Sequence, residues 1–526
     1  MPLSLPFRPN NSPSPPSGPL PTLPFEIVRR IIYHRLSIPP SYPFHLEDRY
    51  EPSWDAWSGV KGRMEATKRL EERKDVTRTA RGLMGVCKAW KPVVMKYLYS
   101  SPYLTDNLSC LTSCVLVGDS KWSDINIHQF SIPGRYITLL DLSTISNNIH
   151  PTEILKSIRS IFPILPNLQH LRLPPYQEGE LPFSLDEISQ SPFRKSLKCL
   201  EGVHVDMDMM SNGQDGLIDL LRHLPNLEVL HVHGGTIPDS EQILSNEGPY
   251  PPLRLDQLHS IKLEDVKSGD LLSTLLESEL PSLNRLSVTN YYNQSGDATY
   301  KFQEIHGYKI RSLTYLQGKS WPWFLPSEIS STTPCEKILE LHPNLIHLSF
   351  LLPDYNQLDR FLSTLRESPN HPLQVLTIFK WVEPPPIVPS TPSPIPSITT
   401  SGKDTNKLLR EIADNPPKNL KRINIDGFRW VKIELGKIAM NAGTSGEMRL
   451  LAGLLQKRGI ELGDMDGNLA PSPSINTTSS GSGERAYGPM TGGRRRSSGG
   501  MTMVRMNIGM SGNAAKESGR EDEDGG

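Results

Sequence analysis

LPNLQHLRL (165–173) returns along the chain as LPNLEVLHV (224–232), LPSLNRLSV (280–288) and HPNLIHLSF (342–350). The common element is an apolar-x-x-apolar-x-apolar hexad. Ten copies are anchored at Ile137, Leu168, Leu200, Leu227, Leu258, Leu283, Leu313, Leu345, Leu373 and Leu420. Successive anchors lie 25 to 32 residues apart, except for a last gap of 47. That gap holds the Pro-rich stretch 383–401, which regular helix or strand cannot accommodate, and its removal restores the period. The last two apolar residues of each hexad alternate with polar ones, which is strand spacing. PTEILKSIRSIF (151–162), DGLIDLLRHL (215–224) and DRFLSTLRES (359–368) between them have helical spacing. One strand with one helix cannot bury its apolar face alone, whereas stacked copies can. The period therefore predicts an α/β solenoid with a parallel sheet inside and helices outside.

Outside the repeats the chain changes character. Of 526 residues, 39 are Gly and 48 are Pro, and only 37% are hydrophobic. These proportions fit a globular middle with unpacked ends: a disordered leader over 1–22 and a disordered tail over 463–526. A net charge of −1 argues against a polyanion as the main partner, so no nucleic acid is expected. Five cysteines, odd in number, argue against a disulfide-stapled fold and for a reducing compartment, cytoplasmic or nuclear. No stretch reaches the roughly 18 apolar residues of a membrane helix, so no membrane association is expected and the sequons at Asn107 and Asn293 are read as idle.

The segment 23–100 reads as helical. LPFEIVRRIIYHRL (23–36) starts with Pro24, which suits a first helical turn. A mixed-charge helix is expected over 60–75. A second apolar stripe runs Leu83, Val86, Cys87, Trp90 and Val94, with Pro92 implying a break near Lys91. Among the cysteines, the Cys110-x-x-x-Cys114 pair is read as buried hydrophobic thiols.

The hexad pattern resembles the leucine-rich repeat in its long variant, although the asparagine usual after the hexad is mostly absent. LPFEIVRRII followed by GLMGVCKAWKPVVMKYLY (82–99) resembles an F-box, carried by Leu23, Pro24, Glu26, Ile27, Ile31, Leu83, Val86, Cys87, Trp90 and Leu98-Tyr99. An insertion over about 37–77 separates the two halves. The resemblance implies docking on a SKP-type adaptor of a cullin ubiquitin ligase through Leu23, Pro24, Ile27, Ile31, Leu83, Val86, Cys87 and Trp90. It implies an unknown target protein held on the repeat domain, over 101–462. The alternative reading makes the two helices a cap on a repeat scaffold unrelated to ubiquitination.

Residues alternating with the buried ones point away from the core. The central column is expected to read Asp141, Arg172, His204, His231, Lys262, Ser287, Gln317, Ser349, Thr377 and Asn424, with His170, Arg285, Tyr315, His347 and Arg422 beside it. Of these, Arg172, His204, His231, Lys262, Arg285, Tyr315, His347 and Arg422 are the candidate target-binding residues. His231 and His233 share a face, but no Cys or acidic residue completes a metal set at recognisable spacing. No phosphate loop, nucleophile elbow or paired-histidine zinc motif occurs, so no enzyme, catalytic residue, metal or cofactor is expected. RRRSS (494–498) presents Ser497 and Ser498 as possible kinase targets in an otherwise solvating tail.

Overall fold

A computed structural model of the chain describes residues 24–36, 60–86, 90–102, 104, 108–123, 133–143, 145, 150–173, 185–204, 216–234, 250–264, 266, 270–289, 298–316, 335–351, 355–379, 402–425, 430, 442–464, 469 and 470. The leader 1–22, Leu23, Cys87, Asn107, Asn293, Gln317, the Pro-rich stretch 383–401, Ser497 and Ser498 lie outside them. So do residues 37–59 of the insertion and all of the tail after residue 470.

The fold is α/β, built among the described residues on one parallel sheet of eleven strands. The strands are β1 (Leu139–Asp141), β2 (His170–Arg172), β3 (Cys199–His204), β4 (Val229–His233), β5 (Ser260–Glu264), β6 (Arg285–Thr289), β7 (Ser312–Leu316), β8 (His347–Leu351), β9 (Val375–Phe379), β10 (Arg422–Ile425) and β11 (Glu461–Gly463). Each of β2 to β10 pairs with the strands before and after it in sequence, and β1 and β11 are the ends, so sheet order equals chain order. The arrangement is compatible with a solenoid, because a parallel neighbour requires the chain to cross back between strands.

Register follows the apolar pattern. Leu140, Leu171, Leu200, Leu230, Ile261, Leu286, Leu313, Leu348, Leu376, Ile423 and Leu462 form one row of paired residues across all eleven strands. All are buried in one continuous core. Three residues upstream lie the hexad starts: Ile137, Leu168, Leu197, Leu227, Leu258, Leu283, Ile310, Leu345, Leu373 and Leu420, also buried.

This row corrects two anchors. Leu200 and Leu313 are middle residues of their hexads, and the true starts are Leu197 and Ile310. In β3 the cause is a bulge. The pairing with β4 shifts between Leu200 and Val203, and Gly202 holds a left-handed φ of +80°. The extra residue displaces the third apolar position and creates a false hexad starting at Leu200. In β7 the third position is Tyr315, an aromatic residue in place of an aliphatic one. An eleventh strand was not anticipated either. Its hexad start is Gly459, with φ +78°, so the first apolar signal is missing. At Gly202 a Cβ would meet the Leu173 carbonyl oxygen at 3.2 Å as well as suffer the left-handed backbone. Gly202→Ala is therefore expected to lower stability by about 1–2 kcal/mol, read from the denaturant midpoint.

The first three helices form a module of their own. In α1 (Phe25–Leu36), Val28, Ile32 and Leu36 recur every fourth residue and are buried. They pack with Ala80, Val76 and Leu83 of α2 (Val60–Met84) and with Val93, Val94, Tyr97 and Leu98 of α3 (Lys91–Ser100). The charged 60–75 segment and the start of the second expected helix are one continuous α2. The break falls after Met84, and Pro92 lies in the first turn of α3, where its missing N–H is harmless.

The other helices are α4 (Leu108–Ser123), α5 (Pro151–Ile161), α6 (Asp186–Ser189), α7 (Gly216–Arg222), α8 (Asp270–Glu277), α9 (Ala298–His306), α10 (Cys335–Leu341), α11 (Tyr355–Glu367), α12 (Gly402–Asp414) and α13 (Ala442–Lys457). Their apolar sides join the core, for example Ile154, Ile158 and Ile161 of α5 and Phe361, Leu362 and Leu365 of α11. Cys110 and Cys114 are exposed on α4, contrary to the buried-thiol expectation. The helix turns Thr112 and Val115 inward instead.

Successive units are also tied by asparagines that stand just before the hexads. Asn167 Nδ2 donates to the Arg135 carbonyl at 2.8 Å, Asn226 to Lys195 at 2.6 Å, Asn344 to Tyr308 at 2.7 Å, and Asn419 to His371 at 2.9 Å. In β3's unit Ser196 takes the place and donates to the Pro166 carbonyl at 3.0 Å. Each such bond contributes about 0.5–1.5 kcal/mol and fixes one unit's loop against the previous one. The N of LPNL is thus a stitch between units, placed ahead of the strand rather than behind it.

Candidate functional site

Two surfaces carry the residues singled out from sequence. The first is the helical module. Pro24 is exposed at the start of α1. Ile27 and Ile31, one turn apart, keep 45% and 46% of their surface, beside the row that faces the module's core. Phe25, which the motif reading did not weigh, is also exposed. Val86 is exposed in the turn after α2, while Leu83 and Trp90 are half-buried against the α1–α2–α3 cluster. Ile27, Ile31 and Val86 are large apolar side chains left outside the module's core.

The second surface is the face of the sheet opposite the helices. Its central column reads Asp141, Arg172, Glu201, His231, Lys262, Ser287, Thr314, Ser349, Thr377 and Asn424. Arg172, His231 and Lys262 stand where expected, and so do Arg285, His347 and Arg422 beside them. His204 is displaced by the bulge and sits level with His233, while Glu201 takes the expected place. Thr314 takes the place assigned to Gln317. Tyr315 belongs to the opposite, helix-facing side: its row partner is the core residue Val288, and its hydroxyl donates to Gln303 Oε1 of α9 at 2.9 Å. It therefore does not stand on the polar face where the sequence reading put it. Both slips descend from the misplaced anchors.

The column is a network of buried polar groups rather than a solvated row. Arg73 of α2 reaches it: Nη1 donates to Asp141 Oδ2 at 3.0 Å, and both side chains are buried. Arg172 Nη1 lies 3.6 Å from the same oxygen. Its Nε and Nη2 meet Glu201 Oε2 at 2.6 and 2.5 Å. Glu201 Oε1 is met by His170 Nε2 at 3.3 Å and the Cys199 thiol at 3.4 Å. Burial pushes both carboxyls up, but the guanidiniums outweigh it. Asp141 ends below, and Glu201 well below, the usual carboxylate range. Burial and Glu201 push the Cys199 thiol well up, which favours its neutral form.

Further along, Glu264 of β5 binds Lys262 Nζ at 3.0 Å, His231 Nε2 at 3.3 Å and His233 Nδ1 at 3.4 Å. Burial raises its carboxyl, but hydrogen bonding to His231 and the charges of Lys262 and His233 hold it below the usual range. Burial and Lys262 hold His231 below the usual imidazole range, against Glu264. From Ser287 on the central column is uncharged, with Arg285 and Arg422 standing beside it. His347 Nε2 lies 3.0 Å from Thr377 Oγ1 and 3.1 Å from Ser349 Oγ. Asn424 Nδ2 donates to Thr377 Oγ1 at 3.2 Å, and Asn424 Oδ1 accepts from Arg422 Nε at 2.9 Å.

Sequence reasoning missed Glu201, Glu264 and Arg73. Glu201 was hidden by the bulge. Glu264 is placed by register between strands about thirty residues apart. Nothing in the chain's periodicity couples Arg73 to Asp141. The charges of Arg172 and Lys262 are largely neutralised by Glu201 and Glu264. Among the described residues two sets of His, Cys and acidic groups come within metal-binding distance of one another: His170, Cys199 and Glu201, and His231, His233 and Glu264.

Fold and surfaces define a class: an α/β protein whose parallel sheet is covered by helices on one face and carries a charged network on the other, with a three-helix module at its start. No known family model matches the chain, and no curated protein matches it significantly. No helix among the described residues is long and apolar enough to cross a membrane.

Proposed function

We propose that the chain is a substrate-recognition adaptor of a SCF-type ubiquitin ligase. In this reading α1 and the α2–α3 turn are an F-box docking a SKP-type adaptor, and the strand–helix units are leucine-rich repeats holding a target protein. The observation that carries it is the division of α1. Val28, Ile32 and Leu36 are spent on the module's own core, while Ile27 and Ile31 of the resembling motif stay outside it. Docking by a helix uses a few such apolar anchors. The chain itself performs no chemistry here; it brings a bound target close to the ligase's charged enzyme and raises its effective concentration there.

Co-expression with a SKP-type adaptor and pull-down tests this. Wild type is expected to retain the adaptor. Ile27→Asp with Ile31→Asp, both exposed and so tolerable to the fold, is expected to weaken capture at least about 30-fold, the effect of losing a hot spot of about 2 kcal/mol. Undiminished capture by that variant removes the reading. A repeat scaffold outside ubiquitination is the second reading. It is favoured by the buried Arg73–Asp141 pair and by the bond from Thr138 N to the Ser100 carbonyl, 3.0 Å, which tie the helical module to the first strand as a cap.

A further inference from the structure

His231 and His233 are two residues apart on β4 and leave the sheet on the same face. Glu264 is the register partner of His233 on β5. Its Oε2 lies 3.3 Å from His231 Nε2 and 3.4 Å from His233 Nδ1. The three donor atoms all lie within 4.8 Å of one another. In a tetrahedral zinc site with bonds of about 2.0–2.1 Å, donors are separated by about 3.3–3.4 Å. Two edges of that tetrahedron are therefore already of the right length.

The rings are held in place. His231 and His233 lie with centroids 4.2 Å apart, and His233 stacks on His204 at 6.2 Å. The strands supply the rigid support a metal site needs. The side chains of His231, His233 and Glu264 keep 12%, 21% and 15% exposure, which leaves an approach from solvent. We propose that His231, His233 and Glu264 form a three-ligand site for a divalent transition ion of the zinc class, with its fourth position open to solvent.

Two imidazoles and one carboxylate suit zinc and its neighbours rather than calcium or magnesium, which prefer all-oxygen shells. Three protein ligands with an open position is the coordination of zinc sites that exchange a ligand, not of closed structural ones. Lys262 is the built-in competitor: its ammonium is 3.0 Å from the same Glu264 oxygen and gives way when the ion binds. The other set, His170, Cys199 and Glu201, is already satisfied, because the Arg172 guanidinium is forked onto Glu201. The site is independent of the adaptor reading, since it lies on the sheet and not on the helical module, and either can fail without the other.

The test uses the untagged full-length chain, stripped with a chelator and titrated with Zn(II) against a chromophoric indicator, and with Co(II) followed by its visible absorption. One equivalent of Zn(II) is expected, with Co(II) showing the intense bands of a tetrahedral nitrogen–oxygen site. His233→Gln and Glu264→Gln are each expected to weaken Zn(II) at least about tenfold with the circular dichroism spectrum unchanged. Lys262→Met is expected to tighten it, and this variant decides the matter should the other two fold poorly. Absence of binding, wild-type affinity in both folded ligand variants, or unchanged affinity in Lys262→Met overturns the proposal.

Discussion

Glu201→Ala is expected to destabilise the protein by about 3–5 kcal/mol, read as a fall in the denaturant midpoint followed by circular dichroism. Glu201 is 3% exposed and takes both the Nε and Nη2 contacts of Arg172 while receiving His170 and Cys199 on its other oxygen. Removing it takes from the Arg172 cation the carboxylate it is forked onto, and from the His170 ring its contact at 3.3 Å, at a position where Glu201 itself is buried. Asp141, 3.6 Å away, compensates only in part. The loss measures the stranded charge and not the net worth of the pair. Replacing both members together, Glu201→Leu with Arg172→Met, is accordingly expected to recover much of it. A double variant as unstable as Glu201→Ala would show that the pair itself holds the first three strands together.

Acidification from pH 7 to pH 5 is expected to cost about 2 kcal/mol for each of His342 and His347. Burial, aided by Arg285 and Arg422, pushes His347 down to about 3. Burial, with His371 adding to it, pushes His342 down to about 4. In the unfolded chain both titrate near the ordinary imidazole value of about 6.5. Folding therefore excludes protons that the unfolded chain binds. Their contribution is complete above about pH 6.5 and is lost as pH falls towards the folded values. The depressed carboxyls of Asp141 and Glu201 act with the same sign but only lower, below the ordinary carboxylate range. Thermal melts between pH 7 and 5 should show a steep decline. His342→Gln should flatten its share of the slope, whereas a slope unchanged by that substitution would place the acid sensitivity elsewhere.

The sheet was legible because burial on one side forces an apolar residue at fixed spacing, and eight of ten hexad starts are read correctly from it. Legibility failed where geometry departs from that spacing: at Gly202, where a bulge adds a residue, at Tyr315, where an aromatic fills an aliphatic place, and at Gly459, where a turn replaces the apolar start. The polar face was legible only as a column of residue types. Its charges were misjudged because Glu201 meets Arg172, and Glu264 meets His231 and His233, across strands, and those pairings depend on register rather than on neighbours in sequence. In the helical module the break before α3 follows from Pro92, whereas the inward row of α1, Val28, Ile32 and Leu36, was not picked out beside Ile27 and Ile31. The reach of Arg73 to Asp141 spans 68 residues and leaves no local trace.

Sheet order equals chain order, so every strand finds its partner in the segment made just before it. A growing chain leaving the ribosome can add one strand at a time to an edge that already exists, paying only a short loop closure at each step. The vulnerable moment moves with synthesis: at any length a single growing edge is bare, until β11 is laid down with the Leu469–Gly463 bridge beside it.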